Sequence, residues 1–292
     1  MSIPRFSAKN GDPDLQAMGA AFARDGVLVI EDFVDADARE RMKQRIASLV
    51  DTFDPDSVKT IFSTTKQSHA ADDYFKQSGD TVRFFLEEDA FDESGALTKP
   101  KDRVLNKIGH AMHDLDPVFD RFSRTPALAA LAHGLGLSDP GLVQSMVIFK
   151  QPHIGGEVGL HQDATFLHTD PISVTGFWFA LEDADETNGC LYAIAGGHKA
   201  GLRERFRYGA GGVLEMQKLK AISWDAGAAE ALVAPAGTLV VLDGLLPHFS
   251  GPNSSPRSRL AYTLHMVDRQ SVWSPDNWLR RAPDMPLRGF AE

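Results

Sequence analysis

The sequence predicts a mainly β protein whose helices gather at the N-terminal end, and two observations carry that prediction. From residue 142 onward, short apolar runs broken by turn residues recur at 142–149, 159–166, 172–181, 190–194, 238–242 and 259–267. Six runs in about 130 residues match an antiparallel sandwich or jelly roll. Before residue 136, apolar side chains recur instead at the three-to-four spacing of helices. No repeat of fixed period is present. We expect a single domain over residues 1–292, with a helical part at about 12–136 and a β core at about 142–268.

In chain order, residues 12–25 place Leu15, Met18, Ala21 and Phe22 on one helical face, and Gly26 ends that helix before the apolar run 27–30. Asp35 is a helix cap for a second stripe of Ala38, Met42, Ile46 and Leu49, with Arg39, Glu40, Lys43 and Arg45 on the wet side. Between Asp54 and Asp80 the periodicity lapses, which predicts a long loop near the site. Residues 83–86 resume as a core strand. From Val104 to Gly136 two or three helices are expected, one capped by Thr125 with Pro126 in its first turn. Lys107, His110 and His113 then fall at helical spacing as a surface stripe. Residues 199–232 are an insertion between core strands, of the kind that covers active sites.

Composition narrows the function. Of the 292 residues, 43% are hydrophobic and 24% charged, which is ordinary for a folded domain with a sizeable core. Thirty basic against forty acidic residues give a net charge of -10, without a lysine or arginine cluster. Nucleic acid and anionic membranes therefore find no electrostatic footing, and small molecules are the expected partners. The lone Cys190 excludes an internal disulfide and a cysteine zinc site, and reads as a small core residue. No apolar stretch of about 20 residues and no secretory leader is visible, so a cytoplasmic protein is expected.

The chemistry is concentrated at His161-Gln162-Asp163. On an extended strand, residues two apart share a face at about 6.6 Å, so the imidazole and the carboxylate converge while Gln162 points away. Alone, such a triplet more often marks a buried histidine bonded to a carboxylate. His248, just after the apolar run 239–242, supplies a second imidazole. Two imidazoles and a carboxylate on one face of a metal form the facial set of non-heme Fe(II) oxygenases, with the opposite positions open. Downstream, alternation puts Arg259, Ala261, Thr263 and His265 on one face and Leu260, Tyr262 and Leu264 on the other. A guanidinium facing the metal would hold a carboxylate in a bidentate way.

Residues His161-Gln-Asp163, His248, Ser250 and Arg259, with Asn188-Gly-Cys-Leu191 and the turn Gly196-Gly-His198, resemble the phytanoyl-CoA dioxygenase family of Fe(II)- and 2-oxoglutarate-dependent oxygenases. Further matching stretches are Asp73-Tyr-Phe75, Ser78-Gly-Asp80, Arg83-Phe-Phe85, Asn106-Lys-Ile-Gly-His110, Gln144-Ser-Met146 and Trp273-Ser-Pro-Asp-Asn-Trp278. The likeness runs from about Phe22 to the last strand. The family's Pro-Gly-Ser-His turn reads Ala195-Gly-Gly-His198 here, which alters a loop, not the metal set.

The resemblance implies a double-stranded β-helix, a cupin-like jelly roll flanked by α-helices. It implies Fe(II), 2-oxoglutarate and O2 as metal, co-substrate and oxidant. His161, Asp163 and His248 become the metal ligands, Arg259 and Ser250 the holders of the far carboxylate, and Lys107, Met146 and Trp178 pocket residues. The expected reaction is hydroxylation of a small organic, lipid-like or acyl substrate with release of succinate and CO2. A metal-binding jelly roll without turnover and a zinc-assisted hydrolase are the competing classes. Arg259 favours the oxygenase. His153 reads as an exposed loop residue, His168 as no ligand, and His265 as a structural hydrogen-bond partner.

Overall fold

The computed structural model describes residues 2–9, 14–55, 73–94 and 96–291. The first helix, α1 (Leu15–Asp25), is capped by Asp14, whose Oδ1 accepts from Ala17 N at 2.9 Å. It ends at Gly26, whose φ of 73° suits a residue without a Cβ. Helix α2 (Ala36–Thr52) starts from Asp35, which accepts from Ala38 N at 2.7 Å, and buries Met42, Ile46 and Val50. Then come the short α3 (Asp73–Lys76), α4 (Met112–Leu115) and α5 (Pro117–Ser123), and α6 (Pro126–Gly134) with the expected Thr125 cap. Most of the long loop expected at 54–80 lies outside the described residues.

The strands begin with β1 (Arg5–Ser7), β2 (Val27–Glu31), β3 (Val82–Leu86) and β4 (Leu105–His110). They continue with β5 (Pro140–Lys150), β6 (Val158–His161), β7 (Thr169–Asp170), β8 (Thr175–Ala180) and β9 (Leu191–Ala193). Next are the hairpin β10 (Glu204–Tyr208) and β11 (Leu214–Lys218), then β12 (Glu230–Leu232) and β13 (Leu239–Asp243). The last are β14 (His248–Ser250), β15 (Arg259–Asp268) and β16 (Val272–Trp273).

An eight-stranded sheet in the order β1-β2-β13-β8-β15-β5-β4-β3 is joined by a four-stranded sheet, β12-β9-β14-β6. Along the chain β5, β8, β13 and β15 belong to the large sheet, and β6, β9, β12 and β14 to the small one. That exchange is the double-stranded β-helix expected from the sequence.

Strand alternation decides which core each side chain enters. Leu28, Ile30, Phe177, Phe179, Leu260, Tyr262 and Leu264 face the helices and pack with Met18, Phe22, Met42, Ile46, Phe119 and Leu131. Val27, Val29, Trp178, Ala180 and Ala261 point the other way, toward Leu191, Ala193 and Leu232. Helices thus cover one face of the large sheet and leave the other to the site.

Three expectations need correction. Residues 105–110 form a strand, not a helix, pairing Lys107 with Ile148 and Ile108 with Val147. Lys107, His110 and His113 are therefore not a helical surface stripe, and all three are buried. The run 159–166 is a strand only to His161, after which a 3-10 turn starts at Asp163. Finally, the insertion 199–232 holds the hairpin β10–β11 and one core strand, β12.

Candidate metal centre

The two sheets enclose a cavity of about 390 Å³. On its floor, β6 and β14 pair with His161 directly opposite His248, and their rings lie 4.3 Å apart between centroids. The turn after β6 brings Asp163 to them, held by Ala164 N donating to Gly244 O at 2.8 Å. Asp163 Oδ1 is 3.6 Å from His161 Nε2 and 3.7 Å from His248 Nε2. All three donor atoms fall within 4.8 Å of one another, close enough to share one ion.

The histidines are oriented for ligation. His161 Nδ1 lies 2.8 Å from Gly159 O and His248 Nδ1 3.0 Å from Leu246 O. A carbonyl only accepts, so each Nδ1 carries the hydrogen and each Nε2 presents its lone pair to the common point. Burial pushes His248 down to about 4, and the neighbouring His161 adds to the shift, so it is neutral at pH 7. Burial works to raise the Asp163 carboxyl, but His265 and His248 outweigh it and hold it well below the usual range. Asp163 Oδ2 lies 3.3 Å from His265 Nε2. That is an ion-pair distance and not a hydrogen bond, since Oδ2 has no hydrogen-bond partner among the described residues. Gly176 makes room there, because a Cβ at that position would stand 3.0 Å from Asp163 Oδ2.

The cavity ends at Arg259, 1% exposed, whose guanidinium lies 5.3 Å from the centre of the Trp178 ring. Its Nε and Nη1 have no hydrogen-bond partner, and no ion pair reaches it among the described residues. Burial pushes it down to about 10, so it stays charged at neutral pH. A buried, charged fork with unpartnered nitrogens is costly unless an anion completes it. Opposite it in register is Lys150, whose Nζ donates to Gly156 O at 2.5 Å and Gly251 O at 2.6 Å. Burial, assisted by Arg259, pushes Lys150 down to about 7.

Ser250, Met146, Trp178 and Lys107 line the same cavity. Burial pushes Lys107 down to about 7, and its Nζ lies 5.7 Å and 5.0 Å from the centres of the Phe75 and Phe85 rings. Every site residue expected from the sequence is thus brought to one cavity. His153, by contrast, is exposed. His198 lies away from the cavity and reaches Ala23 O at 3.3 Å.

Sequence reasoning missed Lys150 and the role of Gln162. Gln162 is buried, donates to Gly201 O at 2.9 Å and Leu245 O at 2.6 Å, and accepts from Arg203 N at 2.9 Å. It ties the segment leading into the hairpin to the turns bearing the ligands. Its position between two ligands was the only available signal. The hairpin itself contributes Phe206 and Met216 to the cavity wall.

Residues 22–261 match the family described as Phytanoyl-CoA dioxygenase (PhyH). The chain belongs to the phytanoyl-CoA dioxygenase family. With that membership, its expected class stands: a non-heme iron, 2-oxoglutarate-dependent dioxygenase. It is 44% identical over 262 residues to the phytanoyl-CoA dioxygenase of Arabidopsis thaliana, covering 89% of this chain and 92% of the relative. It is also 44% identical over 278 residues to phytanoyl-CoA dioxygenase domain-containing protein 1 of Bos taurus, covering 91% and 94%.

Among solved structures, EctD from S. alaskensis with 2-oxoglutarate and 5-hydroxyectoine superposes with a TM-score of 0.62 at 20% identity, covering 91% of this chain and 83% of that one. At that identity the likeness concerns the jelly-roll fold. Stretches scattered through this family member converge in its cavity: Phe75, Asn106, Lys107, His110, Gln144, Met146 and Trp278 all line it.

Proposed function

We propose that the chain hydroxylates a small organic substrate while 2-oxoglutarate is converted to succinate and CO2. In this reading His161, Asp163 and His248 hold Fe(II), Arg259 and Ser250 hold the distal carboxylate of 2-oxoglutarate, and Lys107, Met146 and Trp178 complete its pocket. Fe(II) with 2-oxoglutarate and dioxygen supplies the oxidising chemistry when bound. The chain's own residues bind, orient and exclude water.

Two neutral imidazoles and one carboxylate leave a divalent site with one positive charge, which attracts a dianion before any hydrogen bond forms. Arg259 carries the reading. Its buried guanidinium lines the cavity that holds the three donors, and no carboxylate of the described residues pairs with it, a need that a dicarboxylate meets and that neither a water-activating zinc site nor a passive metal store requires. His265 lies at ion-pair distance from the Asp163 carboxylate. Phe166, Phe206 and Met216 give part of the cavity an apolar wall.

No helix among the described residues is long and apolar enough to cross a membrane. Together with the buried thiol of Cys190, this supports our placing the enzyme in the cytosol, acting on a small molecule.

The test is succinate release from 2-oxoglutarate under Fe(II) and air. We expect release by the wild type and at most a hundredth of that rate in Asp163→Ala. An activity that zinc supports and that ignores 2-oxoglutarate would replace this reading with a hydrolase.

A further inference from the structure

Part of the cavity wall is made differently from the Arg259 end. Phe75 and Trp278 stack with centroids 4.4 Å apart and planes at 17°, and His110 meets Trp278 edge to face at 5.2 Å and 77°. Phe75, His110 and Trp278 all line the cavity.

Behind this corner the buried Ser78 fixes the histidine. Ser78 Oγ lies 2.6 Å from Phe75 O and 2.8 Å from His110 Nδ1. A hydroxyl has one hydrogen and a carbonyl can only accept, so that hydrogen goes to Phe75 O. The Nδ1 of His110 must then be the donor to Ser78, and in the neutral ring Nε2 is a bare acceptor. Burial, with Lys107 nearby, keeps the ring neutral by pulling it well below the ordinary histidine range.

His110 Nε2 and Trp278 Nε1 have no hydrogen-bond partner among the described residues, and neither offers surface to a water-sized sphere, so a ligand reaches them only where the ring packing of this corner opens. One is an acceptor and the other is a donor. Left unmet, each forfeits a hydrogen bond that water would have given it.

We infer that this corner is a substrate subsite for an uncharged hydroxyl on a flat or cyclic apolar frame, donating to His110 Nε2 and accepting from Trp278 Nε1. Among organic substituents a hydroxyl is the smallest that does both. A carboxylate or phosphate offers no hydrogen to Nε2, and an ether or hydrocarbon leaves Nε2 unmet. The cavity then separates its ligands by chemistry, with an acid at Arg259 and an alcohol at His110. The inference names the substrate class for the site proposed above and rests on that reading.

The probes are phenol and its methyl ether, anisole, titrated calorimetrically into the full chain loaded anaerobically with Fe(II) and 2-oxoglutarate. We expect phenol to bind about tenfold tighter than anisole, a margin typical of one buried hydrogen-bonding group left unmet. His110→Phe and Trp278→Phe should each cut the ratio below about threefold, and His110→Gln, which keeps an acceptor, should retain more of it than His110→Phe. Nitrogen-15 NMR of the wild type loaded with Zn(II), which needs no variant to fold, should find the His110 hydrogen on Nδ1. Equal binding of the two probes, or a hydrogen on Nε2, overturns the inference. Repeating the titration on metal-free Asp163→Ala separates the two proposals. Failure of the iron site there removes metal binding, whereas the phenol preference survives if the corner is as described.

Discussion

Two charged side chains of this protein are withdrawn from water, and they are treated in opposite ways. Behind the helices, the Asp114 carboxylate accepts from Arg124 Nη2 at 2.6 Å and Arg288 Nη2 at 2.9 Å, pairs with Arg281, and lies 3.2 Å from His113 Nε2. At the cavity, the Arg259 guanidinium keeps two nitrogens without a hydrogen-bond partner among the described residues. Burial works to raise the Asp114 carboxyl, but His113 and the arginines hold it far below its usual range. The first cluster is complete within the chain and fastens the segment carrying Arg281 and Arg288 to α4 and α5. The second has no carboxylate partner from the described residues. A buried charge that the fold leaves unanswered marks a place where a ligand supplies the answer, whereas a saturated one marks structure.

The comparison is most easily broken at Asp114. Asp114→Ala leaves three arginines around an empty position, and we expect it to cost about 3–5 kcal/mol of folding stability. Chemical denaturation measures this, while the affinity of the folded fraction for 2-oxoglutarate should change less than about threefold. Next in size is Arg259→Leu, which removes a cation that no carboxylate pairs with among the described residues. Its stability without ligand should stay within about 1 kcal/mol of wild type or rise, yet 2-oxoglutarate binding should weaken by about 2–4 kcal/mol, or roughly 30- to 1,000-fold. If Arg259→Leu unfolds as readily as Asp114→Ala, the distinction between the two clusters is lost.

A protonation experiment sharpens the same contrast. Burial pushes Lys150 and Lys107 down to about 7, so both are largely neutral above that pH in the ligand-free protein. An unfolded lysine keeps its proton to about pH 10.4, so these two sites make stability rise with pH between about 7 and 10. A bound dianion raises both values again. Binding of 2-oxoglutarate at pH 8 should therefore take up protons, of the order of one per ligand, and affinity should fall as pH rises above about 7. Calorimetry in buffers of different ionisation enthalpy counts them, and release of protons would contradict the assignment.

The smallest effect expected is at Gly176. A methyl group there stands 3.0 Å from Asp163 Oδ2 and 3.3 Å from His265 Cδ2, so Gly176→Ala must shift one of them. We expect Fe(II) affinity to fall about tenfold, in the range seen when a supporting contact of a metal ligand is lost, with little change in melting temperature.

Much of this was legible in the chain. Alternation in 259–265 sorted cavity residues from core residues correctly, because β15 is long, central and flanked on both sides by partners that hold its register. His161, Asp163 and His248 were readable as a ligand set because their chemistry is specific, even though Asp163 reaches the site from a 3-10 turn rather than from the strand. What could not be read was set by tertiary pairing. The sequence Leu105–His110 lacks a two-residue alternation, and it is a strand because β3 and β5 pair with it on either side. That error hid His110, whose spacing from Lys107 and His113 fits a helix equally well. Lys150 gave no sign either, since its ammonium is held by two carbonyls that only the fold brings to it, Gly156 O from the next turn and Gly251 O from a distant segment.

The most direct measurement is the absorption spectrum of the full chain titrated anaerobically with Fe(II) and 2-oxoglutarate. A keto acid chelated to Fe(II) absorbs visible light by charge transfer, which neither component does alone. We predict a saturable band at one iron per chain in wild type, lost in Asp163→Ala and in His248→Ala, and requiring far more 2-oxoglutarate in Arg259→Leu. An undiminished band in Asp163→Ala and His248→Ala would show that iron binds elsewhere.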